Sequence, residues 1–305
     1  MIITDFTHEH IEQAIALVKD NYEEARVAVS CLPKVEEFPD LTIFANNNLG
    51  IVILENDKML GFLGCYNPWE YNNIKRTYSP IHAHGALLSD REYIYQRLYQ
   101  AAARKWKDNN ITSHGIGLYS HDKAAISSFF VNGFGMHLMD AVRPMDAISV
   151  ETPKGYKYYE LNSDNKEQIL ELKNGLINHL ADSPTFLYYP QTDINHLAEE
   201  FKRRNARYFV ASFNDEIVAF LEITKNGENF ATYYSSMLNI CGAFCKEEHR
   251  GNGVYSNLLN YVITTLKEEN YSILGVDFES YNPTAHGFWL KYFTSYTTSL
   301  LRVII

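Results

Sequence analysis

Residues 247–263 read EEHRGNGVYSNLLNYVI, a glycine-rich loop followed at once by an apolar, periodic segment. The apolar positions recur at the spacing of one helix face: Val254, Leu258, Val262 and Leu266. The pattern therefore predicts a helix that begins directly after the glycines. The same sequence would also suit a tight structural turn between a strand and a helix, with an exposed arginine and no ligand.

The position of this loop at a helix N-terminus favours a second interpretation. The first N–H groups of a helix lack backbone partners and carry partial positive charge. Gly251 and Gly253 lack the Cβ atoms that would keep an anion away from those groups, and Arg250 adds a formal charge. No Gly-Lys-Ser/Thr and no GxGxxG follows, so the loop is neither a P-loop nor a dinucleotide fingerprint. We expect a phosphate site of another kind.

The second half of the chain predicts alternating strands and helices around this loop. Strands are expected at 156–161, in a hairpin around Asn214-Asp215, at 237–245, at SILGVDF and at TSLLRVI. Helices are expected at 165–180 and 193–204, after the loop, and at TAHGFWLKYF.

The first half predicts a similar order, which points to an internal repeat. Its predicted elements follow the same order as those of the second half. They are a strand at 1–6, a helix at 8–28, a hairpin at 50–66, a strand near 81–88, a helix at 91–107, a strand at 114–119, a helix ending at Gly133 and a last strand pair. Phe62 precedes Phe220 by 158 positions, and Arg91 precedes Arg250 by 159. We predict two copies of one α/β unit, 1–150 and 156–305, joined by a linker at 151–155.

The second copy resembles the GNAT superfamily of N-acetyltransferases. That family has Gln/Arg-x-x-Gly-x-Gly/Ala between a strand and a helix, which residues 250–254 match, whereas Tyr255 stands at the last position. Downstream, Asn282 and Ala285 match the family's Asn-x-x-Ala. The resemblance implies two tandem GNAT folds, each with a mixed, mostly antiparallel sheet flanked by helices.

The resemblance also implies acetyl-CoA as cosubstrate, with a set of residues that bind it. The strand end would hydrogen-bond the pantetheine arm, the loop would hold the pyrophosphate, and Asn282 would lie near the thiol; Asn282 before Pro283 also suits a helix N-cap. The residues are Ala243, Phe244, Cys245, Arg250, Gly251, Asn252, Gly253, Val254, Tyr255 and Asn282. The first copy keeps Arg91 but reads SDREYIYQRLYQ, without either glycine, so we expect it to lack this site.

Amine acetylation requires a proton acceptor, and several acidic residues are candidates. Asp277 and Glu279 share a face of one predicted strand, and Glu222 is an unusual acid in the apolar run AFLEI. Asp277 stands where some GNAT members carry a catalytic glutamate. Solvation or pairing with a nearby Lys or Arg would equally explain these acids.

The residue that would protonate the leaving thiolate departs from the family. Where GNAT enzymes usually carry a tyrosine, seven residues after the Asn, this chain has Trp289, whose indole cannot supply a proton. The tyrosines Tyr255, Tyr292 and Tyr296 remain candidates, as does solvent. No cysteine has a nucleophile's setting, so we expect the amine to attack the thioester directly in a ternary complex. The alternative is a non-catalytic acyl-CoA-binding or interaction protein.

Composition limits the partners and the compartment. The formal net charge of −10 argues against nucleic acid, and the apolar runs are too short for a membrane span. The four cysteines lack CxxC spacing and the N-terminus lacks a signal peptide, so we expect reduced thiols and a cytoplasmic protein. His82 and His84 alternate on a predicted strand, but no third ligand accompanies them and no metal is predicted. The acceptor amine, small molecule or peptide, and the oligomeric state are left open.

Overall fold

The division of the chain into two units falls inside a strand, between Asp140 and Ala141. The structure, a computed structural model, describes residues 1–304, apart from the side chain of Ser163. Unit 1 comprises Met1–Asp140, Asn229–Ala231 and Ser295–Ile305, and unit 2 comprises Ala141–Glu228 and Thr232–Thr294. Each unit is an α/β structure whose sheet strands are flanked by helices.

Unit 1 contains most of the elements that the first half predicts. Its strands are β1 (Ile2–Asp5), β2 (Ile51–Glu55), β3 (Lys58–Leu63), β4 (Trp69–Tyr71), β5 (Ile74–Ser79), β6 (His84–Ala86), β7 (Ser113–Tyr119) and β8 (Gly135–Pro144), of which β8 continues into unit 2. Its helices are α1 (Ile11–Ala28), α2 (Thr42–Asn46), α3 (Arg91–Asp108) and α4 (Lys123–Val131).

The strands of unit 1 form two groups. In the first, β1, β2, β3 and β6 pair in that order, and every pair is antiparallel. In the second, β4 pairs with β5, and β5 runs parallel to β7. The last strand of the chain also pairs with β7, from Thr297↔Tyr119 to Val303↔Ser113.

Unit 2 repeats the order of elements. Its strands are β9 (Tyr156–Glu160), β10 (Arg207–Phe213), β11 (Glu216–Thr224), β12 (Met237–Cys245) and β13 (Ile273–Glu279). The last strand, β14 (Thr294–Val303), belongs to unit 1 from Ser295 onward. Its helices are α5 (Leu170–Ala181), α6 (Ile194–Arg204), α7 (Val254–Glu268) and α8 (Pro283–Tyr292). β9 to β12 are antiparallel neighbours, and β12 runs parallel to β13.

Each unit has its own apolar core. In unit 1 one side of the sheet packs on α3 through Ile94, Leu98 and Trp106, and the other packs on α1 through Leu17 and Val18. In unit 2 the α5 and α6 side is filled by a cluster that includes Leu172, Leu197, Tyr208 and Phe220. The apolar face of α7 is buried as its spacing predicts.

The two-copy α/β fold is thus confirmed, with differences in detail. The sequence reading missed α2, β4 and β5, and the expected strand pair after Gly133 is the single strand β8. The predicted domain limits at 150 and 156 differ from the observed division, which assigns residues 141–155 to unit 2 and 295–305 to unit 1. No helix within residues 1–304 is long and apolar enough to span a bilayer.

Candidate acyl-CoA site

The centre of unit 2 is a gap between two parallel strands. β12 and β13 pair from Met237↔Ile273 to Ile240↔Val276 and then stop, although β12 runs on to Cys245 and β13 to Glu279. The other edge of β12 stays paired with β11 as far as Ala219↔Cys245, across a register shift near Cys241. The edge of residues 241–245 that faces β13 therefore leaves backbone groups open to a ligand.

The glycine-rich loop lies just beyond this strand end. Gly251 and Gly253 have φ of +80° and +77°, the left-handed conformation that glycine adopts without strain. A Cβ at Gly251 would meet no heavy atom within 4 Å, so the loop faces open space. Gly253 precedes α7 with no side chain capping it. The first N–H groups of α7 are thus available to an anion.

Arg250 is held in place beside these N–H groups. Its Nε donates to the carbonyl of Cys245 at 2.9 Å, and its guanidinium lies 5.5 Å from the centre of the Phe244 ring. The Phe244 ring in turn packs against Gly175 of α5, where a Cβ would approach within 2.7 Å. The glycine in the middle of α5 therefore leaves space for the Phe244 ring, which lies beside the guanidinium of Arg250.

A cavity of about 940 Å³ opens in front of the loop. It is lined by Ala243, Phe244, Cys245, Arg250, Gly251, Asn252, Gly253, Tyr255 and Asn282, which are nine of the ten predicted cofactor residues. The tenth, Val254, is buried in the core under the helix start. Charged lining residues are mostly basic, with Lys154, Arg250 and Lys291 against the single carboxylate Glu151. This excess contrasts with the net charge of −10 and suits a polyanion.

Two residues close one side of this cavity. Asn282 caps α8, and its Oδ1 accepts hydrogen bonds from the N–H of Ala285 and from Thr284 Oγ1. His179 of α5 also lines the cavity, with Nε2 3.2 Å from Thr284 Oγ1. Burial, and next the charge of Arg250, lowers the pKa of His179. The sequence analysis missed His179, although its helical spacing from Leu176, another lining residue, places both on one face.

An aromatic cluster forms another part of the wall. Trp289 is buried, and its ring contacts those of Phe288, Phe293 and Tyr255 with centroid distances of 4.9, 5.5 and 6.1 Å. The Tyr255 hydroxyl donates to the carbonyl of Phe220 at 3.3 Å, and burial raises its pKa well above 10. The Tyr292 hydroxyl donates to Ser256 Oγ at 2.9 Å on the cavity lining.

Asp277 and Glu279 lie on β13 beyond its last pair with β12. Asp277 follows Val276 directly and is half-buried. Burial, and next the negative charge of Asp277, raises the pKa of the Cys241 thiol to about 12. Burial also raises the pKa of Glu279. Both acids are therefore in the region where the two strands separate, although neither lines the main cavity.

Glu222 lies in a buried ion cluster on the α5 and α6 side of the sheet. Its carboxylate accepts hydrogen bonds from Lys173 Nζ at 2.7 Å and Arg204 Nη1 at 3.3 Å, and Lys173 also approaches Glu200 at 3.4 Å. Two cations thus hold its charge, and the arrangement favours a structural role for Glu222.

The cysteines of unit 2 are not activated. Burial raises the pKa of Cys245 to about 11 even though Arg250 acts in the opposite direction. At neutral pH both Cys241 and Cys245 are thiols rather than thiolates, and only the thiolate is a good nucleophile. No disulfide is present in residues 1–304, and no three His, Cys, Asp or Glu side chains of this part are grouped as metal ligands would be.

Comparison with known proteins gives a family match for part of the chain. Residues 174–293 match the Acetyltransferase (GNAT) family. No curated protein matches the chain by sequence.

Solved structures are similar in fold over the whole chain. A GCN5-related N-acetyltransferase from Sphaerobacter thermophilus is similar over 100% of this chain and 96% of its own, with 10% identity and a TM-score of 0.62. A fungal GCN5-related glucosamine N-acetyltransferase region, within a multi-domain GH3 beta-N-acetylglucosaminidase, is similar over 98% of this chain and 38% of its own. There the identity is 12% and the TM-score 0.54. At these identities the likeness shows the fold alone.

The matching position of the first GNAT fold has a different local structure. α3 begins at Arg91 itself, whereas α7 begins four residues after Arg250, so unit 1 lacks the loop. Arg91 is buried and donates to Glu24 through both terminal nitrogens, at 2.6 and 2.8 Å, and to Asp122 at 3.1 Å. Asp122 caps α4 as Asn282 caps α8. Side chains of this chain therefore satisfy the arginine that a phosphate would otherwise contact.

Proposed function

We propose that the protein is an N-acetyltransferase that moves an acetyl group from acetyl-CoA to a primary amine, and that unit 2 alone binds acetyl-CoA. The family match and the fold support acyl transfer in general. The finer proposal is carried by one observation: the open edge of β12 leads to an uncapped helix N-terminus, left-handed glycines and a fixed arginine in one basic cavity.

The residues present fit this cosubstrate. Backbone groups of 243–245 would bind the pantetheine amides, and the N–H groups after Gly253 together with Arg250 would bind the pyrophosphate. When bound, acetyl-CoA supplies a thioester whose C–S bond breaks as the C–N bond to the amine forms. Asn282 would contact this end of the site while it caps α8.

Proton transfer is assigned to the residues nearest the strand gap. We propose that Asp277 accepts the proton that the substrate ammonium must lose, with Glu279 second, and Glu222 last because two cations hold it.

Tyr292 has a hydroxyl on the cavity lining and is the first choice to protonate the sulfur. Tyr255 ranks below it because burial raises the pKa of its hydroxyl well above 10, which makes it a weaker proton donor, and Tyr296 belongs to unit 1.

A thiol-release assay tests this proposal. The protein is incubated with acetyl-CoA and a panel of polyamines, amino acids, aminoglycosides and peptides, and free CoA thiol is measured. We expect amine-dependent release with at least one class, and an acetylated amine product of matching amount. Trapping of an acetyl group on Cys245 would contradict direct transfer.

The rival function is acyl-CoA binding without catalysis. The buried Trp289 at the family's tyrosine position and the engaged hydroxyl of Tyr255 favour it. Tight binding of acetyl-CoA with no turnover on any amine of the panel would support the rival.

A further inference from the structure

The segment just before β9 is fixed to the start of α7. Asn257 Nδ2 donates to the carbonyl of Glu151 at 2.8 Å, Thr152 Oγ1 donates to Asn257 Oδ1 at 3.3 Å, and the N–H of Ile148 donates to Asn260 Oδ1 at 2.7 Å. Asn257 is itself buried. Residues 148–152, which include the start of the predicted linker, are thus held against the first two turns of the helix that follows the glycine-rich loop.

This segment also forms part of the cavity. Residues 150–154 line it, and the carbonyl of Glu151 would lie 3.5 Å from a Cβ at Gly253. The segment lies outside the part of the chain that matches the family, which begins at residue 174. It lies next to the N–H groups that we assign to the pyrophosphate.

The segment also supplies a cationic side chain to which we assign no role in binding the pyrophosphate. Lys154 is exposed at the cavity and stands two residues, at most about 7 Å of chain, after Thr152. Lys291 lines the same cavity from the last turn of α8. The bond from Tyr292 to Ser256 fixes that turn to the first turn of α7. Two lysines thus stand on different segments that are both attached to the start of α7.

We propose that Lys154 and Lys291 bind the 3′-phosphate of CoA and make this protein select CoA over dephospho-CoA. This inference rests on the proposed function. A phosphomonoester carries about −1.5 to −2 charges near pH 7, so it is the second strong anion of the molecule after the pyrophosphate. Glu151 is the one carboxylate on the lining, and its main chain is what faces Asn257 and Gly253.

Calorimetric titration of the full chain with CoA and with dephospho-CoA, which lacks only the 3′-phosphate, tests the inference. We expect CoA to bind about 3- to 10-fold tighter, as two exposed ion pairs allow, and the ratio to shrink with added salt. The double variant Lys154→Gln/Lys291→Gln should bind CoA as weakly as dephospho-CoA, with the affinity for dephospho-CoA unchanged. Lys267→Gln is the matched control, because it removes the same charge about 20 Å along α7 from the loop.

The outcomes separate this inference from the proposed function. Equal affinities of the wild-type protein for the two ligands would overturn the inference alone, as would a CoA preference that survives in the double variant. Failure of the wild-type protein to bind either ligand would overturn the proposed function and this inference with it.

Discussion

At the scale of single residues, the proton acceptor is the most specific assignment. Asp277 is the first residue of β13 after its pairing with β12 ends, and its charge acts on Cys241 across the gap. It is half-buried, whereas Glu222 is enclosed and held by Lys173 and Arg204. We therefore assign the proton acceptor to Asp277 rather than to Glu222.

The variant Asp277→Asn tests this assignment. We expect kcat to fall about 100-fold or more near pH 7, the range of general-base contributions, and to recover in part as pH rises. The recovery follows because a larger fraction of the amine is already neutral at higher pH. Acetyl-CoA affinity should hardly change, and Glu279→Gln serves as the matched variant. Full activity of Asp277→Asn across the pH range would place the base elsewhere, with Glu279 next.

The sequence could predict the residues of the loop but not all of the cavity around it. Arg250, the two glycines and Asn282 are recognisable because they stand at fixed spacings within one strand–helix–strand run. His179 and Lys154 come from segments that are distant in sequence and meet the loop only through tertiary packing. Spacing along the sequence carries no information on such contacts. A stretch that contains Pro and Gly residues is predicted to be a linker whether or not it packs against the rest of the protein.

At the scale of elements, β14 shows the same limit. A run of apolar and β-branched residues predicts a strand at the end of the chain, but such a run does not say which sheet the strand joins. The structure pairs β14 with β7, and Leu300 is fully buried in the core of unit 1 beside Ile116 and Leu118. The hairpin of β4 and β5 was missed because Asn72-Asn73 separates runs of only three and six residues.

Leu300→Ala tests the assignment of β14 to unit 1. We expect a loss of about 2–5 kcal/mol, the cost of truncating a buried leucine. Hydrogen exchange should speed up in the peptide that covers β7, residues 113–119, rather than in the one that covers β13. Leu274→Ala, at a fully buried position of β13, is the control with the opposite expectation. Faster exchange in β13 alone after Leu300→Ala would contradict the assignment.

At the scale of the whole molecule, the two copies of the fold place the arginine of matching position in different surroundings. Arg91 is buried with Glu24 and Asp122 at the start of α3, and Arg250 lines an open basic cavity ahead of α7. A buried arginine with two carboxylates is satisfied, and a phosphate would have to displace both. The chain therefore keeps the fold twice and, in our account, the ligand site once.

The stoichiometry of acetyl-CoA binding tests this account most directly. Calorimetry on the wild-type chain should give one site. Gly251→Val should weaken binding about 100-fold or more, because a side chain at φ of +80° distorts the loop and disrupts charge-assisted hydrogen bonds of about 1.5–3 kcal/mol each. Glu92→Val, at the matching position of unit 1, should leave one site of unchanged affinity, with thermal melts confirming that both variants fold. Two sites per chain, or undiminished binding by Gly251→Val, would contradict the account.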